Sequence, residues 1–152
     1  MTLYEFILAT HNIFRWVAFI LLLLATMIAY IGWFRKRRWT LMDRRIGLFT
    51  TIAIDIQLLL GLILYLFFSD FALQAILERG FSYVMGDDLY RQYAIEHSLL
   101  MLLAVIATHL GSLLPRKTDE STSKFRRAAI WFTIAIILIL VSMPWDRRLL
   151  PF

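Results

Sequence analysis

With 152 residues, 61% of them hydrophobic, and a mean hydropathy of +0.71, the chain carries far too little polar surface to cover a water-soluble core of its size. A net charge of +5 raises nucleic acid as a partner, but the basic residues cluster in two short stretches between oily ones; that pattern belongs to a membrane protein and speaks against nucleic acid. No cysteine is present, so disulfides, thiolate metal sites and covalently attached c-type haem are excluded.

The N-terminus, from Met1 to Phe6, has neither a basic leader nor a small-residue cleavage site, so the first oily stretch is expected to be retained as a span. Its helix is expected to begin near Thr2 or Leu3, and Trp33, Phe34 and Trp39 mark the interface at its far end. The second span follows the basic cluster, with Thr40 or Asp43 as its cap, and ends at Tyr65 to Asp70. In the next connection the pattern predicts a short helix from Phe71 to Glu78, ended by Gly80, and then a turn at Gly86-Asp87-Asp88 that opens the third long helix. That helix is expected to stop at Pro115. Arg116 to Lys124 reads as a polar, mobile connection, and the fourth helix ends at Met143-Pro144-Trp145 before a short tail from Asp146 to Phe152.

Four uncharged or nearly uncharged stretches thus approach the roughly 17 to 25 residues that a helical span needs at about 1.5 Å per residue. The expected architecture is an all-α integral membrane four-helix bundle, one domain over 1–152, with spans at about 5–34, 46–68, 90–114 and 127–145. Eleven of the 16 basic residues fall between spans one and two (Arg35 to Arg38, Arg44, Arg45) or between spans three and four (Arg116, Lys117, Lys124, Arg126, Arg127). The positive-inside rule places those loops in the cytoplasm and both termini outside, with the acidic 69–93 loop. There is no internal repeat, and the lack of broken helices or paired half-repeats weakens a transporter reading.

Ionisable residues inside such spans are the candidates for function, because a charge at the bilayer centre costs about 2.5 to 3.5 kcal/mol and even a neutral imidazole needs partners. His11 and His97 each lie about two turns from the start of helices that run in the same direction, and so are expected at similar depth. Diagonal helices of a bundle stand roughly 11 to 14 Å apart, a separation that two imidazoles and an iron between them can span. A haem bridging the two is one reading; local hydrogen bonds, for instance to Thr10 or Ser98, are the other. Arg15, four residues after His11 and on the same face, suits a haem propionate, or else snorkels to headgroups or pairs with Glu5 or Glu96. Asp55, near the middle of the second span, is expected to face the bundle or a wet cavity. His109 lies about 120° around the helix from His97, so the two do not serve one ligand; its depth matches that of Asp55, and the two are expected to be able to pair, as a proton relay, beside a quinone, or as a structural hydrogen bond. No phosphate loop, nucleophile triad or zinc signature is present.

Several segments extend this reading: His11-Asn12-Ile13-Phe14-Arg15-Trp16, Gln57 to Tyr65, Glu96-His97 with Met101 to Ala104, Thr108 to Gly111, and Pro144-Trp145. With them the chain resembles a family of small four-helix membrane proteins, common in Bacteroidetes and related bacteria and often labelled cytochrome b-like. The resemblance implies a b-type haem protein of an electron-transport membrane, with His11, His97 and His109 as candidate iron ligands. It departs at Asp55, where family members often carry histidine two residues before the glutamine of the second helix, so one haem, not two, is expected. The combined expectation is a haem b subunit of a respiratory or photosynthetic electron-transfer complex in the bacterial inner membrane. In it His11 and His97 hold the iron, Arg15 assists, and the chain has no catalytic activity of its own. Its partners would be lipid and other subunits, with quinone a further candidate, and the competing expectation is a cofactor-free accessory subunit.

Overall fold

The computed structural model describes residues 2–145, and among these all regular structure is helical. Helix α1 (Leu3–Phe34) opens on a capping box: the Thr2 hydroxyl accepts from the Glu5 amide at 3.2 Å while the Glu5 carboxylate accepts from the Thr2 amide at 2.8 Å. It closes with Lys36 in the left-handed region at φ 50, Arg37 N–H returning to the Gly32 carbonyl and Lys36 N–H to that of Trp33. That reversal delivers Arg37 to the start of α2 (Leu41–Ile63). There its guanidinium grips both oxygens of the buried Asp43, whose carboxylate also takes the Thr40 amide at 2.8 Å. Thr40 and Asp43 therefore share the cap, and the helix begins five residues before the uncharged stretch that signalled it.

Helix α2 runs on through a wide turn with five-residue hydrogen-bond spacing, Leu64–Phe68. The connection beyond it holds two short helices, α3 (Leu73–Arg79) and α4 (Phe81–Gly86), where one was expected. Gly80 separates them at φ 85, a conformation that a side chain would strain. Ala75, Val84 and Ala94 form a small core beneath this cap, and Arg79 lies over the rings of Tyr83 and Tyr90. Asp87 then caps α5 (Asp88–Arg91) by accepting from the Leu89 and Tyr90 amides. A second wide turn, Gln92–Glu96, joins α5 to α6 (His97–Leu113), which ends in a 3-10 turn, Leu114–Lys117, containing Pro115. Helix α7 (Ser121–Ser142) starts earlier than the sequence suggested: Ser121 to Lys124, expected as a mobile loop, form its first turn, in which the Ser123 hydroxyl donates to Glu120. The tail from Asp146 to Phe152 lies outside the described residues.

Among the described residues four helices are long and apolar enough to cross a membrane, and they fit a multi-pass membrane protein. Helix α1 packs against α2 and α7, and α6 packs against the same two, so α1 and α6 stand on one diagonal and α2 and α7 on the other. Their contact is built from small residues: Ala18, Ala25, Ala29 and Gly32 along α1, Ala104, Ala107 and Gly111 along α6, Ala128, Ala129 and Ala135 along α7. Close approach of backbones is how helices gain van der Waals contact where the surroundings are as apolar as the core. Into the notches left by glycine go two phenylalanines of α7 one heptad apart, Phe125 against Gly32 and Phe132 against Gly111. Leu23, Ile52, Leu103 and Ile137 point outward, as lipid-facing residues do. Interior hydroxyls bond their own helix, Thr26 to the Leu22 carbonyl and Thr108 to that of Ala104, which leaves them satisfied without water.

Candidate functional site

The end of the bundle away from the basic loops gathers one group from each long helix: His11 from the third turn of α1, Gln57 and Gly61 from the last turns of α2, His97 from the first residue of α6, and the carbonyl of Ser142 from the end of α7. Each is there for a local reason. Gly61 faces the His11 ring, and a methyl there would make ordinary contact with the imidazole Cε1 at 3.4 Å. The Ser142 carbonyl is available because α7 stops there, with Pro144 two residues on, and a terminal carbonyl has no partner within its own helix. The wide turn at Gln92–Glu96 immediately precedes His97 and inserts an extra residue into the helical register; such insertions recur at functional sites. Its loosened hydrogen-bond ladder accepts from outside: the Tyr65 hydroxyl, in the matching turn of α2, donates to the Ala94 carbonyl at 3.1 Å.

The protonation of His97 follows from its partner. Nδ1 lies 3.0 Å from the Ser142 carbonyl oxygen, and a carbonyl can only accept, so Nδ1 carries the proton and the neutral ring keeps its lone pair on Nε2. A histidine fixed in this way presents Nε2 as a ligand, the arrangement by which a metal-binding imidazole is usually oriented. His11 is held differently. The Gln57 amide nitrogen donates to the His11 backbone carbonyl at 3.1 Å and stands 3.2 and 3.3 Å from the two ring nitrogens, aimed between them and not committed to either lone pair. The amide oxygen of Gln57, beside this ring, is buried with no hydrogen-bond partner among the described residues. An orphaned acceptor costs about 1 to 3 kcal/mol. His11, His97 and the Arg15 guanidinium all lie within electrostatic reach of one another, and Arg15 also senses Tyr93.

The local partners expected for the histidines are engaged elsewhere: Thr10 donates to the Phe6 carbonyl and Ser98 to that of Tyr93. The acids proposed for Arg15 are likewise occupied, Glu5 by the cap of α1 and Glu96 by Arg91 at 2.9 Å. Gln57 stands in one of the segments of resemblance but with no role expected at the site, and the Ser142 carbonyl was not anticipated at all; a backbone carbonyl leaves no signal beyond the proline that ends its helix.

Asp55 and His109 do meet, with Oδ2 3.4 Å from Nε2. His109 Nδ1 donates to the Val105 carbonyl at 3.0 Å, which turns Nε2 toward the Asp55 carboxylate. Asp55 was expected to face the bundle or a wet cavity; its side chain is 45% exposed and that of His109 39%, at the α2–α6 seam.

No family model matches the chain, and no curated protein or solved structure matches it at a significant level. Among the described residues no three histidine or acidic side chains converge as a metal-ion cage. A haem would ask for less, two imidazole nitrogens, so the diagonal pair His11 and His97 is the donor set to test against it.

Proposed function

We propose that the protein is a b-type haem-binding subunit of a respiratory or photosynthetic electron-transfer complex in the bacterial inner membrane, with its basic loops in the cytoplasm and both termini outside. The observation that carries this reading is the His97 imidazole, whose Nδ1 is committed to the Ser142 carbonyl so that Nε2 is left as a donor, with His11 supplied by the diagonally opposite helix. His11 and His97 would hold the iron, and Arg15 would pair with a propionate. The unsatisfied Gln57 oxygen beside His11 fits a site that is completed by a further group. When bound, haem supplies one-electron chemistry; the chain's own part is to fix the imidazole tautomer, exclude water and set the local charge. The resemblance to small cytochrome b-like membrane proteins supports the same assignment. Donor and acceptor would be other subunits, with lipid and quinone as further partners.

The deciding measurement is the visible spectrum of protein purified in mild detergent. A sharp reduced α-band with one haem per chain is expected; colourless protein, from a preparation in which other b-type cytochromes stay intact, overturns the reading. A second reading, a cofactor-free accessory subunit, draws on the half-exposed Asp55–His109 pair, a polar spot on an outward face that a neighbouring subunit would cover. Orientation is tested apart from haem: reporter fusions at Arg38 and Lys117 should report cytoplasm and one at Asp87 the outside, and the reverse pattern would invert the assignment.

A further inference from the structure

At the basic end of the bundle, opposite the histidines, a cavity of about 560 Å³ opens over the α2–α6 seam. Arg44 comes to it from α2, Arg116 from the turn after α6 and Lys124 from the first turn of α7, with the polar side chains of Thr40 and Ser112 and the ring of Trp39 between them. Among the described residues none of the three cations makes an ion pair. Asp43 is taken by Arg37 and Thr40, and Glu120 accepts from the Ser123 hydroxyl; neither of these acids, nor the exposed Asp119, forms an ion pair with the three cations.

Arg44 and Arg116 are exposed and Lys124 is partly buried, so water and salt screen their mutual repulsion, but all three border one cavity and an anion held there would meet three positive charges at once. The walls are also fixed in advance. The Trp39 amide donates to the Ser121 hydroxyl at 3.0 Å, its ring packs on the buried Phe125 with centroids 4.7 Å apart, and Arg127 donates to the Leu114 carbonyl at 3.1 Å, holding the turn that carries Arg116. A site whose shape is set by such contacts loses little entropy on binding.

We propose that this cavity binds the phosphate headgroup of an anionic membrane phospholipid. The chemistry, a phosphate gripped by two guanidiniums and an ammonium with hydroxyls at the side, would serve a free phosphate equally. The position favours the lipid: the cavity lies at the end of the spans, and Leu41, Leu48, Phe49 and Leu113, all exposed, continue from it along the outer surface of α2 and α6 as a track for acyl chains. The proposal rests on the membrane reading and is independent of haem.

The test is native mass spectrometry and thermal unfolding of delipidated full-length protein, titrated with phosphatidylglycerol, cardiolipin, phosphatidylcholine or inorganic phosphate. The two anionic lipids should form adducts and raise the unfolding temperature at least about tenfold more potently than phosphatidylcholine, and phosphate should have little effect up to millimolar concentration. The triple variant Arg44→Gln, Arg116→Gln, Lys124→Gln should lose that preference, and the single Arg116→Gln should weaken it severalfold, on the scale of about 1 kcal/mol per basic residue near an anionic surface. Arg38→Gln with Arg45→Gln, which removes charge elsewhere on the same end, should leave it intact. Equal binding of charged and zwitterionic lipid, or an unchanged preference in the triple variant, overturns the assignment; saturation by inorganic phosphate overturns the lipid as its source. Chain recovered in the aqueous fraction after an alkaline carbonate wash would overturn the membrane reading itself, a different failure from membrane-bound protein without lipid selectivity.

Discussion

If His11 and His97 hold a haem as proposed, His97→Ala should abolish its low-spin spectrum, and His11→Ala should do the same, because each change removes one of the two imidazoles that would ligate the iron. The fold should survive both. What His97→Ala removes from the protein is one hydrogen bond to the Ser142 carbonyl, worth about 1 kcal/mol, set against a bundle held together by its small-residue seams. Circular dichroism should therefore be unchanged while the α-band is lost. Free imidazole should restore a low-spin spectrum to either alanine variant, a readout that a merely structural histidine would not give. His109→Ala should spare the spectrum, since its ring is turned to Asp55 and the Val105 carbonyl on the outward face. A preparation in which His109→Ala removes the signal and His97→Ala keeps it would move the iron to the other pair, and two haems per chain would require a fourth ligand in place of Asp55.

What could be read from the sequence divides along the range of the interactions. Helix ends were legible where the cap is local: Thr2 with Glu5, Thr40 with Asp43, Gly80 and Asp87 all lie within a few residues of the backbone groups they satisfy. The start of α7 was missed because Ser121 to Ser123 carry the composition of a loop. There the turn is fixed by Trp39, 82 positions away, whose amide donates to the Ser121 hydroxyl. The Asp55–His109 pairing followed from depth along the two helices, but which way the pair faces depends on how α2 and α6 are rotated against each other, and spacing within one helix does not contain that angle. The wide turn before His97 had no signal either, since Gln92 to Glu96 read as ordinary helix and the extra residue is accommodated by contacts such as Tyr65 to the Ala94 carbonyl. The basic cavity was visible only as two charged loops, whose convergence is a property of the packed bundle.

Gly111→Ala should destabilise the protein by about 1 to 3 kcal/mol, although alanine is the better helix former by about 1 kcal/mol and the substitution adds a single methyl. The added carbon would lie 2.5 Å from Cδ1 and Cε1 of Phe132, well inside van der Waals contact. Phe132 has little room to yield: it is 3% exposed, and the far end of its ring already faces Gly47 of α2, where a methyl would be 3.8 Å away. One aromatic ring thus sits between glycines of two neighbouring helices, pressed close on the Gly111 side and in ordinary contact distance on the Gly47 side, so it is a methyl at Gly111 that forces the ring and α7 outward. Phe132→Leu should cost stability alone but relieve the clash in combination, so the double variant Gly111→Ala, Phe132→Leu should be more stable than the sum of the singles predicts. Gly86→Ala is the control, since nothing lies within 4 Å of the added carbon, and it should be neutral or slightly stabilising. The measurement is reversible unfolding in mixed micelles of dodecyl sulfate and a mild detergent. A Gly111→Ala protein as stable as the wild type, or strict additivity in the double variant, would mean that α6 and α7 do not approach as closely as the ring-on-glycine contact requires.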